Sequence, residues 1–190
     1  LVIKHFSNTT ARRLQRTASG GMAATATDTH PPPPLKECIM AILSFNGRVN
    51  IAVRIVTEQY PAAKLYEADG IASKGPTTDP AQIDQLRVVF QNSNNTTVII
   101  KSTGYGEFGA PVLIPEPWLE DVVIQWPVPM DLPEANKLKE QAGFTQAYGA
   151  VTLRNPLGPK LGNPYFIFGG NPSQPYVFVD VVTGQVHQGR

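Results

Sequence analysis

At 190 residues and 20.6 kDa the chain holds material for one ordinary domain or two small ones. Charged residues are 16% and hydrophobic ones 42% of the sequence, which excludes a disordered charged polymer and a highly charged nucleic-acid binder. Eighteen prolines and sixteen glycines without a three-residue period argue against a helical bundle and collagen. No apolar run is long enough for a membrane span, and the one cysteine, Cys38, excludes an internal disulfide framework or a cysteine-only zinc site.

Charge is unevenly placed. Leu1 to His30 carries Lys4, Arg12, Arg13 and Arg16 against Asp28, a net +3 within a total of +1. A basic, Ser/Thr-rich start of this kind reads first as an extended reading frame ahead of a start at Met22, and otherwise as an organellar transit segment. It lacks the apolar stretch of a secretory signal, so the expected location is cytoplasmic. Pro31 to Pro34 is expected as a polyproline II spacer that ends an extended tail, residues 1–34.

A first unit is expected over residues 35–109. Leu35 to Phe45 is apolar enough for a strand or short helix, and Asn46-Gly47 predicts a turn. From Arg48 to Tyr60, Val49, Ala52, Val53, Val56 and Tyr60 recur at helical spacing, and Pro61 stops the run. This face is β-branched, so packing against a sheet has to stabilise the helix. Strands are predicted at Lys64 to Ala72, Leu86 to Gln91 and Thr96 to Ser102, the last two as a hairpin across Asn92 to Asn95. Gly104, Gly106 and Gly109 read as a turn cluster, because the Pro-rich segment after them offers a phosphate no helix amino end.

A Pro-rich connector, residues 110–130, leads to a second unit over 131–190. Asp131 with Glu134 three residues on is a capping-box-like start, and Leu132, Ala135, Leu138 and Ala142 supply a helical face that Gly143 ends. Strands are predicted at Thr145 to Arg154, Tyr165 to Phe168 and Tyr176 to Val182. At an offset of 82, Glu58-Gln59 falls on Glu140-Gln141, Tyr66 on Tyr148, Ala68 on Ala150 and Ile71 on Leu153. With a small gap, Val88 to Phe90 meets Phe166 to Phe168, Val98 to Ile100 meets Val177 to Val179, and Thr103-Gly104 meets Thr183-Gly184. The expected fold class is α+β, with two helix-plus-antiparallel-sheet units whose sheets pack or join, since a unit of about 60 residues buries too little surface alone.

The closing run from Gln174 to Val186, with alternating apolar residues, Asp180 and a Thr183-Gly184 turn, resembles the last strand of the PepSY domain. Helix Asn50 to Tyr60 followed by Pro61 to Lys64 resembles that family's other half, so the chain resembles a tandem pair of PepSY/cystatin-like units or one pseudo-duplicated domain of that kind. Alternation buries one face, Asp180 caps the turn, and Gly184 takes a positive φ. The inserts Gly75 to Gln85 and Tyr105 to Met130 depart from the compact pattern. The resemblance implies a non-catalytic module, often linked with peptidase regulation, with no fixed catalytic residues.

Chemistry-bearing residues are sparse. His5 and His30 lie in the tail and His187 near the end, poor material for acid–base catalysis. Cys38 reads as a buried small hydrophobe, and Glu116, Glu120 and Asp121 as a solvated loop, with an enzyme built on Asp121 or Glu120 the remotest alternative. A net of −2 outside the tail cannot supply phosphate contacts, which argues against nucleic acid. Asn8, Asn94 and Asn95 each begin an Asn-x-Ser/Thr triplet, relevant only on the secretory route. Tyr165, Phe166, Phe168, Tyr176 and Phe178 fall on two neighbouring predicted strands, and Trp118 and Trp126 flank a Pro-stiffened segment.

The leading expectation is a non-enzymatic binding protein for a small, flat, apolar or aromatic ligand such as a pigment. Trp118, Trp126, Phe166, Phe168 and Tyr148 would stack on it, and Lys101 or Tyr105 would orient a carbonyl. The same aromatic residues read otherwise as core. The alternative is a PepSY-like protein-interaction or peptidase-inhibitor module working through an open strand edge or the long loops; unpaired edges also suit a homo-oligomer.

Overall fold

Ser44 caps the first helix. In the computed structural model, which describes residues 43–157 and 162–189, its hydroxyl accepts the Gly47 N–H at 3.1 Å, so helix α1 runs Phe45–Gln59. This cap draws Asn46-Gly47, expected as a turn, into the first helical turn. Most of the expected Leu35 to Phe45 element lies outside the described residues, as do the tail, Cys38, His5, His30 and Asn8.

Strands β1 (Lys64–Ile71), β2 (Gln85–Gln91) and β3 (Thr97–Gly104) form an antiparallel meander. The β2–β3 hairpin turns where expected, with Asn95 left-handed at φ 58°. The connector is not strandless. Its β5 (Val112–Ile114) joins β4 (Glu107–Phe108) in pairing with β3, while β6 (Asp121–Val122) pairs with β7 (Ala150–Pro156). Helix α2 (Leu132–Gln141) is capped by Asp131, whose carboxylate accepts the Leu132 N–H at 2.7 Å. A second meander follows in β7, β8 (Tyr165–Gly169) and β9 (Val177–Asp180), edged by β10 (Val186–Gln188).

Strand β7 starts at Ala150 rather than Thr145, because Tyr148 is held away in a reciprocal backbone pair with Thr77 at 2.9 Å each way. The turn after β9 forms as expected: Asp180 accepts the Val182 and Thr183 N–H groups at 2.8 and 2.9 Å, and Gly184 sits at φ 71°.

The two meanders meet through β1 and β7, antiparallel, in one ten-stranded sheet of order β10-β9-β8-β7-β1-β2-β3-β4. The class is therefore α+β, two helices on a mostly antiparallel sheet, and the described residues make one compact unit. Both helices cover the same face. Val49, Ala52 and Val56 of α1 and Leu132 and Ala135 of α2 pack with Val88, Phe90, Ile100, Leu153, Phe166, Phe168 and Val179 in one buried cluster. Gly70 lies under this cover, where a Cβ would overlap the Ile83 and Phe45 side chains.

Register corrects part of the offset of 82. Ala68 pairs with Val88 and lies on the covered face, whereas Ala150 lies on the other; Ile71 and Leu153 are likewise on opposite faces. The cause is a bulge between Leu65 and Glu67, which shifts by one the residues that face the helices. The gapped matches keep their faces, since Val88 and Phe90 stand opposite Ile100 and Val98 as Phe166 and Phe168 stand opposite Val179 and Val177.

Candidate functional site

The same strands present a different chemistry on the uncovered face. Because side chains alternate, Glu67 and Asp69 of β1, Arg87 and Val89 of β2, Ile99 and Lys101 of β3, and Thr152 and Arg154 of β7 all point there. Register aligns them into cross-strand rows. One runs His187, Phe178, Ile167, Thr152, Asp69, Arg87, Lys101 across seven strands; the next runs Tyr165, Arg154, Glu67, Val89, Ile99. The β10 end is aromatic, with His187 stacked on Phe178 at 5.4 Å between centroids, and the β3 end is charged.

At the centre, Arg87 donates to both Glu67, at 3.1 Å, and Asp69, and the Thr152 hydroxyl donates to Asp69 at 2.8 Å. Arg154 reaches Asp121 at 2.5 Å and lies 3.8 Å from Glu67. Glu67 is 4% exposed. Its burial, reinforced by Asp69 and Asp121 nearby, pushes its carboxyl up to about 8 against the pull of Arg87. Asp121 is buried under this network and accepts the Trp118 indole N–H at 2.9 Å, so it is not part of a solvated loop, although Glu116 and Glu120 are exposed.

The expected aromatic residues do not share a pocket. Trp118 lies on the uncovered face with the Arg87 guanidinium 5.4 Å from its ring, held by its own N–H to Gln91. Trp126 packs against the helix-side core and donates to Asn50 of α1 at 2.6 Å. Phe166, Phe168 and Tyr148 are 0%, 2% and 2% exposed, sealed beneath the helices, where Tyr148 meets Phe168 edge-on at 4.9 Å. Burial pushes the Tyr148 hydroxyl above its ordinary range. Tyr105 stands past β3 and donates to the Leu43 carbonyl at 2.6 Å, away from the other five.

Lys101 is the expected residue that reaches a usable surface. It is exposed, takes part in no ion pair among the described residues, and sits between two depressions. One, of about 410 Å³, is mixed, lined by Asp69, Gln85, Arg87 and Thr152 together with Ile71, Leu86 and Ala150; the other, of about 330 Å³, is apolar and lined by Ile99, Ala110, Val112 and Ile114. Both include Lys101 and Ser102. Sequence reasoning missed Glu67, Asp69, Arg87, Thr152 and Arg154. Their signal was polar residues two apart within strands, which marks a face but names no partner across it. Among the described residues no group of three or more histidine, cysteine or carboxylate side chains is placed to hold a metal ion.

No protein-family model matches the chain, and no curated protein does. Among solved structures the chain is similar to a "putative lipoprotein" from Clostridium difficile 630. The two are 11% identical with a TM-score of 0.53, over 78% of this chain and 94% of the other. At that identity the likeness is one of fold.

Proposed function

We propose that the protein is a non-enzymatic binding protein whose ligand lies along the uncovered face of the sheet, over Lys101. The carrying observation is the position of that lysine, an exposed cation without an ionic partner among the described residues, at the junction of a depression that holds Asp69 and Arg87 and an apolar one. A small, flat, largely apolar molecule with a carbonyl or anionic end suits it: the body rests on Ile99, Val112 and Ile114 while Lys101 orients the polar end. A pigment is one such molecule. The Trp118 to Trp126 segment contributes Trp118 alone, stacked on Arg87 at one side of this face.

Protein purified from its source should carry a bound mass in native mass spectrometry, or an absorption band, that denaturation releases. Lys101→Glu should lower the occupied fraction. A colourless protein at its chain mass, apart from glycans, would remove this reading.

The second reading is a tandem PepSY-like interaction or peptidase-inhibitor module. It is supported by the repeated order of a helix followed by a three-stranded meander, by the matched registers of β2–β3 and β8–β9, and by Val112 and Leu113 of β5, 60% and 46% exposed beside β3. Such an edge can pair with an extended partner or a second copy. A panel of peptidases covering the mechanistic classes tests it, and no inhibition at micromolar concentration would count against it. None of the helices among the described residues is long and apolar enough to cross a membrane.

A further inference from the structure

The first turn of α1 holds an arginine that the Lys101 groove does not use. Arg48 is 2% exposed, and among the described residues its Nε and Nη1 meet no acceptor. It enters no ion pair among them. Asp131 and Asp84 bring their fields to it but are engaged elsewhere: Asp131 accepts the Asn46 and Leu132 N–H groups at 3.1 and 2.7 Å, and Asp84 accepts from Ser73 at 2.9 Å. Desolvation holds the guanidinium below its ordinary value without neutralising it.

What covers Arg48 is aromatic. Its Cζ lies 4.6 Å from the Tyr105 ring centroid and 5.9 Å from that of Phe45, an arrangement that satisfies the face of the guanidinium but not its Nε and Nη1 N–H groups. That residue borders a cavity of about 190 Å³ whose other walls include Leu43, Tyr105, Pro80, Leu132 and Pro133. A cavity of about 150 Å³ accommodates a benzene-sized molecule. An unpaired buried charge is costly, and a carboxylate is the partner that guanidinium geometry matches best. Phosphate fits worse, because its additional oxygens would meet apolar walls. Asp79 also borders the cavity, with its carboxylate committed to the Ala81 N–H at 2.9 Å.

We propose that this cavity binds a small monocarboxylate with a single-ring apolar body, the carboxylate on the Arg48 guanidinium and the ring against Tyr105 and the two prolines. The site is separate from the Lys101 groove, and each reading can fail alone.

The test is titration of the full ¹⁵N-labelled chain with benzoate, neutral benzamide and inorganic phosphate, followed by amide and Arg Nε–H chemical shifts. Saturable benzoate shifts are expected at Phe45 to Val49, Ala81 and Tyr105, with benzamide weaker by at least about tenfold, because a hydrogen bond to a charged group is lost. Tyr105→Ala, at a residue 42% exposed, should weaken benzoate without unfolding the chain, and Arg48→Met should abolish its binding. If Arg48→Met does not fold, the benzamide and Tyr105→Ala arms still decide. Equal affinity for benzoate and benzamide would reduce the site to an apolar cleft, and phosphate binding as tightly as benzoate would make it a nonspecific anion site. Absence of saturable shifts would also overturn the proposal.

Discussion

The two faces of the sheet are made by alternate residues of the same strands, yet they behave as different materials. On the helix side Phe166, Val88, Ile100 and Leu153 are 0% exposed and make contacts of dispersion and area; on the other side Arg87 and Arg154 pair with Asp69 and Asp121 around the buried Glu67, and Lys101 has no ionic partner among the described residues. The contrast separates the groups that fold the chain from those left at its surface. The covered face carries the burial that folds the chain, while the uncovered one keeps polar groups in a fixed array at the surface.

That division can be broken at graded points. Phe166→Ala should have the largest effect, a loss of about 3–5 kcal/mol in chemical denaturation, because it empties a closed site in the core. Gly70→Ala comes next at about 1–3 kcal/mol, since the added methyl meets Ile83 and Phe45. Glu67→Gln sharpens the electrostatic side. The Glu67 carboxyl titrates near 8 in the folded chain, above its ordinary 4.5, so it contributes stability fully below 4.5 and loses it as pH rises through 8. Stability of the native chain should therefore fall across that window, and Glu67→Gln should flatten the fall. Lys101→Ala should be smallest, within about 0.5 kcal/mol of the native chain in stability, while lowering ligand occupancy. A large loss of stability there would place Lys101 on the structural side of the division.

Much of the fold was legible because its signals are local. Val49, Ala52 and Val56 mark α1 through helical period, Asp131 marks the start of α2, and Asp180 with Gly184 marks the last turn; each needs only a few neighbouring residues. The site was less legible. Trp118 and Trp126 lie eight residues apart and end on different sides of the sheet, because the segment between them runs along β7 through β6 and passes to the helix side, where Ile124 is buried and its N–H meets the Leu65 carbonyl. Phe166, Phe168 and Tyr148 were chosen for aromatic character, which serves a core as well as a pocket.

The sequence by itself determined the α+β class, both helices, the hairpin and the alternation within strands, because hydrophobic period and turn chemistry act over short stretches. Tertiary structure alone decided that β1 and β7 join two meanders into one sheet, that the bulge after Leu65 changes which residues face the helices, and that Glu67, Asp69, Arg87 and Arg154 meet. Those outcomes depend on strand register. Register is set by the sum of contacts between segments distant in the chain, and a shift of one residue exchanges the two faces.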